Sequence, residues 1–347
     1  MTSVALDRLL AALVVAMAGT GLLTLRAGTP ASGWLYVVHG LLAGALVAAV
    51  ALKVRRSVPR AAVAGRRARL LFGLLVTLVA AAALSGGYLW VASGEIVSVG
   101  SWTVLTLHAW IGLALVPLVV LHVIPRRWML LRPARRRTAV PAGRGDEVAR
   151  SPRARRVSRR SVVAGGLLGL AGVAGYATAA AVERLRGGER RFTGSRFLPS
   201  GGVPPPTTFF GEPTPPVDPA SWHLSVSGRV ARPLEVDLAG LLAFGERDLV
   251  AVLDCTSGWA IETTWRGVPL RALLEAAGAE SDARRVMIRS VTGWQTSLSI
   301  AEAADCLVAT GVAGAPLPDA NGAPARLVVP SRRGLDWIKW VSEVRVA

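Results

Sequence analysis

Five apolar stretches without a single charged residue, at 9–25, 33–52, 70–92, 104–124 and 162–182, dominate the first half of this chain. Each runs to about twenty residues, the length a helix needs to cross the hydrocarbon of a bilayer. A lone segment in lipid must satisfy its own backbone, so runs of this kind are helices. The expected architecture is therefore a membrane α-helical bundle of four spans plus a fifth anchor span, followed by whatever the remaining sequence forms.

The formal charge of +18 is unevenly placed. Most of it falls at 53–69 and 126–160, between apolar stretches, whereas the alternate loops near 26–32 and 94–101 are almost uncharged. That is the positive-inside pattern of a membrane protein and not the basic face of a nucleic-acid binder. With the N-terminus inside, five spans leave everything after Val182 outside. The expected location is the cytoplasmic (inner) membrane, multi-pass, with the C-terminal domain on the extracytoplasmic face. Two cysteines, Cys255 and Cys306, exclude a disulfide-dense scaffold and a four-cysteine metal cluster.

The chain divides by composition into a four-helix membrane domain (1–125), a basic cytoplasmic loop (126–160), the fifth span (161–182), a Pro/Gly-rich connector (183–221) and an exported domain (191–347, overlapping the connector). Ser158-Arg159-Arg160-Ser161-Val162-Val163 resembles a twin-arginine export signal placed internally, before a soft, Gly- and Ala-rich span. An ordinary inside-flanking arginine cluster, with Arg153, Arg155 and Arg156, is the alternative. The connector carries Pro204-Pro205-Pro206 and is expected to run extended over a surface. Beyond it, short alternating runs predict strands at 223–230, 250–254 and 286–289, and short helices at 270–277 and 300–304. At the C-terminus, Ile338, Trp340, Ser342, Val344 and Val346 would share the apolar face of a strand, with Lys339, Val341, Glu343 and Arg345 opposite. The exported domain is thus α+β and strand-rich.

Three histidines lie within the spans. Ionisable side chains there are costly and are functional candidates by default. His39 lies six residues into the second stretch and His108 four residues into the fourth. Both spans run outside to inside, so the two imidazoles can meet at one level near the outer leaflet, as two axial ligands of a b-type haem would. His122, fourteen residues after His108, returns to nearly the same helix face about 21 Å deeper. The matching position in the second stretch is Lys53, a poor ligand. His122 is left as a ligand of a second haem or a quinone contact. Histidines bonded to carbonyls or lining a proton path are the alternative for all three.

Asp254-Cys255-Thr256-Ser257-Gly258-Trp259 is followed by Trp265-Arg266-Gly267-Val268-Pro269-Leu270, then 321–330 and 334–341, which ends Asp336-Trp337-Ile338-Lys339-Trp340-Val341. These blocks, in this order, resemble the molybdopterin-binding domain of the sulfite oxidase family. The resemblance runs from about Arg191 to the C-terminus. It implies a molybdenum ion held by molybdopterin and by one protein thiolate, Cys255, which makes Cys255 both metal ligand and catalytic residue. A soft, charged sulfur suits a high-valent metal, and coordination keeps it deprotonated. A Cys255–Cys306 disulfide would exclude that role. The resemblance further assigns Arg326, Arg332, Arg333 and Lys339 to the pterin and its phosphate. Trp259 is either structural or part of the pocket wall, and Phe209 and Phe210 pack either near the pterin or in the core.

The departures matter equally. Where sulfite oxidases follow the cysteine with anion-binding arginines, this chain has Thr256-Ser257-Gly258-Trp259, and the exported domain contains no tyrosine. The chain ends at Ala347, so the dimerisation domain of sulfite oxidases is expected to be missing, and no oligomer is implied. The pattern is closer to the periplasmic methionine-sulfoxide reductase branch. The resemblance implies an enzyme that passes electrons from membrane quinol through haem b to molybdenum and reduces an S- or N-oxide. Substrate oxidation feeding the membrane, a molybdenum enzyme on a haem-free anchor, and a non-catalytic interaction module stay open as alternatives.

Overall fold

The computed structural model describes residues 3–63, 67–123, 159–186, 188–208 and 211–347. Most of the basic loop expected at 126–160 lies outside the described residues, as do Phe209 and Phe210. The chain divides into two compact units. The first takes in Met1–Gly21, Val37–Ala92 and Leu107–Arg186; the second takes in Leu22–Tyr36, Ser93–Thr106 and Gly187–Ala347.

All five apolar stretches are helical: α1 (Ser3–Thr24), α2 (Trp34–Val63), α3 (Arg67–Ala92), α4 (Val104–Val123) and α5 (Arg159–Arg186). Each contains a segment long and apolar enough to cross a membrane. Exposed Leu71, Leu74, Leu78, Leu167 and Leu170 fit helices whose outer faces meet lipid. Small residues bring α2 and α5 together. A Cβ on Gly44 would sit 2.7 Å from the Gly172 Cα, so the two backbones touch there. Lys53 forms an ion pair with Asp7 of α1.

The second unit is built on two sheets and a small hairpin. The hairpin pairs β1 (Ser98–Val99) with β2 (Trp102–Thr103). The larger sheet contains β3 (Arg196–Phe197), β6 (Arg247–Asp254), β7 (Trp259–Pro269), β10 (Leu307–Val312), β11 (Ala315–Pro316) and β12 (Arg326–Val328). Here β7 is central: β6 and β10 flank it antiparallel, and β3 joins it in parallel. The second sheet contains β4 (Leu224–Gly228), β5 (Leu234–Val236), β8 (Arg285–Ser290), β9 (Gln295–Ser299) and β13 (Val341–Val346), in the order β5-β4-β13-β8-β9. Side chains from both sheets join one buried cluster that includes Leu224, Ile261, Trp265, Ile288, Leu327 and Val344.

Among the described residues, three short α-helices pack in the unit: α6 (Leu238–Leu242), α7 (Leu270–Ala277) and α8 (Ile300–Ala304). In α7 the residues Leu270, Leu273, Leu274 and Ala277 are buried, the spacing of one helix face. Gly278, at φ +66°, ends it in a left-handed cap that L-residues avoid. Ser299 and Glu302 form a reciprocal capping box at the start of α8.

Two sequence expectations are corrected. The last strand begins at Val341, not Ile338, because Trp340 takes φ +50° and the pairing with β8 shifts register between Val341 and Glu343. The bulge turns Val341 inward, so the alternation read from the sequence breaks there. The connector also does more than cover a surface. Through β3 its residues Arg196 and Phe197 join the larger sheet, and Thr193, Ser195 and Arg196 are buried.

Candidate active site

Cys255 occupies the turn between β6 and β7. Its N–H donates to the Trp259 carbonyl at 2.8 Å, and Gly258 N–H donates back to the Cys255 carbonyl at 2.9 Å. Gly258 has φ +101°, which only glycine adopts without strain, and this explains its place in the motif. The sulfur accepts the Ser257 N–H at 3.4 Å, and Cys255 is among the residues that line a cavity of about 270 Å³. Cys306 is not its disulfide partner; both thiols are free, and the Cys306 S–H donates to the Glu302 carbonyl at 3.2 Å. Burial pushes Cys306 up to about 12, which leaves it an inert core residue. Burial also pushes the Cys255 thiol up, against the opposing pull of Ser257 and Arg333.

Below the turn lies a buried polar hub that the sequence did not reveal. The Asp254 carboxylate, fully buried, accepts Ser195 Oγ at 2.6 Å, Thr193 Oγ1 at 2.7 Å and Arg191 Nη1 at 3.0 Å. Arg333 donates to the same carboxylate from Nε (3.2 Å) and Nη2 (3.1 Å), and Nη2 also reaches the Cys255 carbonyl at 3.0 Å. Burial works against the Arg333 charge, yet Asp254 holds its pKa above the ordinary arginine range. A buried ion pair is tolerable only when its remaining donors and lone pairs are also satisfied, and here they are. Thr193 and Ser195 come from the connector, where nothing in the local sequence points to Asp254.

The cavity wall brings together Cys255, Trp259, Arg326 and Lys339 from the sequence-predicted set. It adds Glu212 and Trp294, which the sequence reading missed. Arg326 is buried, donates to the Asn321 carbonyl at 3.0 Å, and lies over the rings of Trp265 and Trp337 at 5.4 and 5.9 Å. Burial lowers its pKa to about 10. Its Nε, also buried, has no hydrogen-bond partner. Lys339 Nζ donates to the carbonyls of Ala320 (2.7 Å) and Thr207 (3.3 Å). Burial and the neighbouring Arg326 bring it down to about 8. Glu212, also on the wall, accepts a hydrogen bond from Thr292.

Arg332 and Arg333, also expected beside the pterin, are not among the residues that line this cavity. Arg332 is paired in a fork with Glu302, at 2.9 Å from both Nε and Nη2, and Arg333 is committed to Asp254. Both carboxylates come from distant sequence positions, so a reading of the basic segment alone cannot tell these guanidiniums from that of Arg326. Phe209 and Phe210 lie outside the described residues.

The residues present fit an anionic, sulfur-bound cofactor. Cys255, with a free thiol, is on the cavity wall; among the described residues the two cations there bond to carbonyls and not to carboxylates, and one buried guanidinium N–H has no acceptor. Cationic forks of this kind hold phosphate and other anions.

In the first unit, the His39 and His108 rings stand 6.1 Å apart, centroid to centroid, and perpendicular. Nδ1 of His39 meets Thr20 Oγ1 at 2.9 Å, and Nδ1 of His108 meets the Ala83 carbonyl at 2.7 Å. His122 stacks on Phe72 at 5.8 Å, and Lys53 is paired with Asp7.

Residues 211–347 match the profile of the oxidoreductase molybdopterin binding domain. The catalytic subunit of the protein-methionine-sulfoxide reductase MsrP from Gluconobacter oxydans is 30% identical over 228 residues, 56% of this chain and 71% of the relative. The corresponding subunit from Xanthomonas campestris pv. campestris is 33% identical over 142 residues, 36% of this chain and 44% of the relative, so the chain spans less than half of that protein. Among solved structures, the sulfane dehydrogenase SoxCD from Paracoccus pantotrophus aligns at 25% identity with a TM-score of 0.37, over 38% of this chain and 40% of that one. With a free cysteine at the head of a cationic cavity and these relatives, the chain belongs to the sulfite oxidase family of molybdopterin-binding oxidoreductases.

Proposed function

We propose that this protein is a membrane-anchored molybdopterin oxidoreductase that reduces an S- or N-oxide outside the cytoplasmic membrane, using electrons drawn from membrane quinol through a b-type haem. The observation that carries the proposal is Cys255, its thiol free, on the wall of a cavity that Arg326 and Lys339 also line. When bound, the molybdenum cofactor would supply oxygen-atom and electron transfer. Cys255 would ligate the metal, while Arg326 and Lys339 would hold the pterin and its phosphate. The Trp259 ring would form one wall. Thr256 and Ser257 stand where sulfite oxidases carry anion-binding arginines, and the loss of those two charges suits a neutral, dipolar oxide better than an anionic substrate.

His39 and His108 are the proposed haem ligands. Each ring has Nδ1 engaged, which leaves Nε2 for a metal; a ligating histidine is oriented this way by its second nitrogen. Gly87 makes room beside His108, since a Cβ there would come within 3.0 Å of the ring. One haem is supported better than two, because Lys53, opposite His122 in the sequence pattern, is neutralised by Asp7. His122 is left for quinol or a structural role.

Stopped-flow absorbance tests the whole path. Quinol should reduce a b-type haem in the purified protein, and methionine sulfoxide or another oxide should reoxidise it. Cys255→Ala should keep haem reduction and lose reoxidation by the oxide. Equal reoxidation in the variant would contradict the proposal.

A further inference from the structure

The hairpin β1–β2 lies in sequence between α3 and α4, yet it belongs to the same compact unit as the Cys255 turn. Its last residue, Thr103, donates from Oγ1 to the Ser257 carbonyl at 2.6 Å. The same oxygen accepts the Thr106 N–H at 3.2 Å, three residues on, as an N-cap does for α4. Thr106 Oγ1 lies 3.0 Å away. A hydroxyl has one hydrogen, and that of Thr103 is spent on Ser257, so Thr106 must donate to Thr103.

The peptide joining Ser257 to Gly258 is therefore held at both ends. Thr103 grips its carbonyl, and its N–H donates to the Cys255 carbonyl. The neighbouring Ser257 N–H is the donor to the Cys255 sulfur. Hydrogen bonds in series strengthen one another in a buried site, and Ser257 and Thr106 are both buried.

We propose that Thr103 is a positioning residue for the Cys255 thiolate: its hydroxyl fixes the turn so that the Ser257 N–H stays on sulfur. The unit that holds Cys255 is thus completed by a segment that comes, in sequence, between α3 and α4. The proposal rests on Cys255 as the molybdenum ligand.

Hydrogen exchange followed by mass spectrometry on the purified full-length protein tests it, with Thr103→Ser, Thr103→Val and Thr103→Asp. Serine keeps both bonds. Aspartate keeps the cap acceptor but cannot donate to Ser257, so it separates the two roles. The expected result is exchange in the 255–259 segment faster by on the order of tenfold in the Val and Asp variants, and unchanged in Ser. The Mo(V) resonance spectrum should shift in the same two variants and stay put in Ser. If Asp exchanges and resonates like the wild type, Thr103 is only a helix cap and the proposal is overturned. A wild-type spectrum without thiolate ligation would instead overturn the role of Cys255, a separate outcome from the exchange rates.

Discussion

Arg326 and Arg333 lie seven residues apart and are both buried, but their surroundings give them opposite tasks. Arg333 has its counter-charge built in, through Asp254, whereas Arg326 faces a cavity with a donor to spare. Arg333→Met would leave the Asp254 carboxylate buried without its main partner, at a cost of about 3–5 kcal/mol. Arg332→Met removes a part-buried pair with Glu302 and the 3.6 Å approach to the buried Asp336 carboxylate, and should cost less, about 1–3 kcal/mol. Thermal midpoints of the two variants check this contrast; loss of cofactor with unchanged midpoints would return both arginines to the pterin. Lys339 offers a pH test. Its folded value, near 8, lies below the ordinary lysine range, so its charge is present below that pH and lost above it. In cofactor-free protein, sulfate, whose own charge is constant there, should bind about tenfold more weakly at pH 9 than at pH 7. An affinity equal at both pH values would show that Lys339 does not face the anion.

At the level of elements, β7 is the strand on which the site depends, and Gly267 is its tightest point. A Cβ there would stand 2.2 Å from the Val308 carbonyl oxygen and 2.5 Å from the Ala309 Cα, both backbone atoms of β10 that cannot yield cheaply. Gly267→Ala should lower the thermal midpoint by an amount equivalent to about 1–3 kcal/mol or more. Gly112→Ala, in open space within α4, should hold it or raise it. An equal midpoint in Gly267→Ala would contradict the close pairing. This glycine belongs to the Trp265-Arg266-Gly267 block, so the motif was legible while its physical reason was not. The long helices were legible because hydropathy needs no partner, and α7 and α8 because their caps and apolar faces are local. The Val341 bulge was hidden, since it is set by pairing with β8. Asp254 with Ser195, and Thr103 with Ser257, were hidden for the same reason: each joins residues far apart in sequence.

For the whole molecule, the proposed function calls for two metals on one chain, each held by side chains from a different compact unit. His39→Ala and His108→Ala should each abolish the b-type haem bands, while His122→Ala should retain them; reduced-minus-oxidised spectra decide this, and loss of haem in His122→Ala would require a second porphyrin. The most direct test concerns the sulfur. Iron and molybdenum should be quantified together, with Mo(V) resonance spectra, on the wild type and on Cys255→Ala. The account predicts haem iron in both proteins and a thiolate-ligated Mo(V) signal in the wild type alone. An unchanged Mo(V) signal in Cys255→Ala would contradict it.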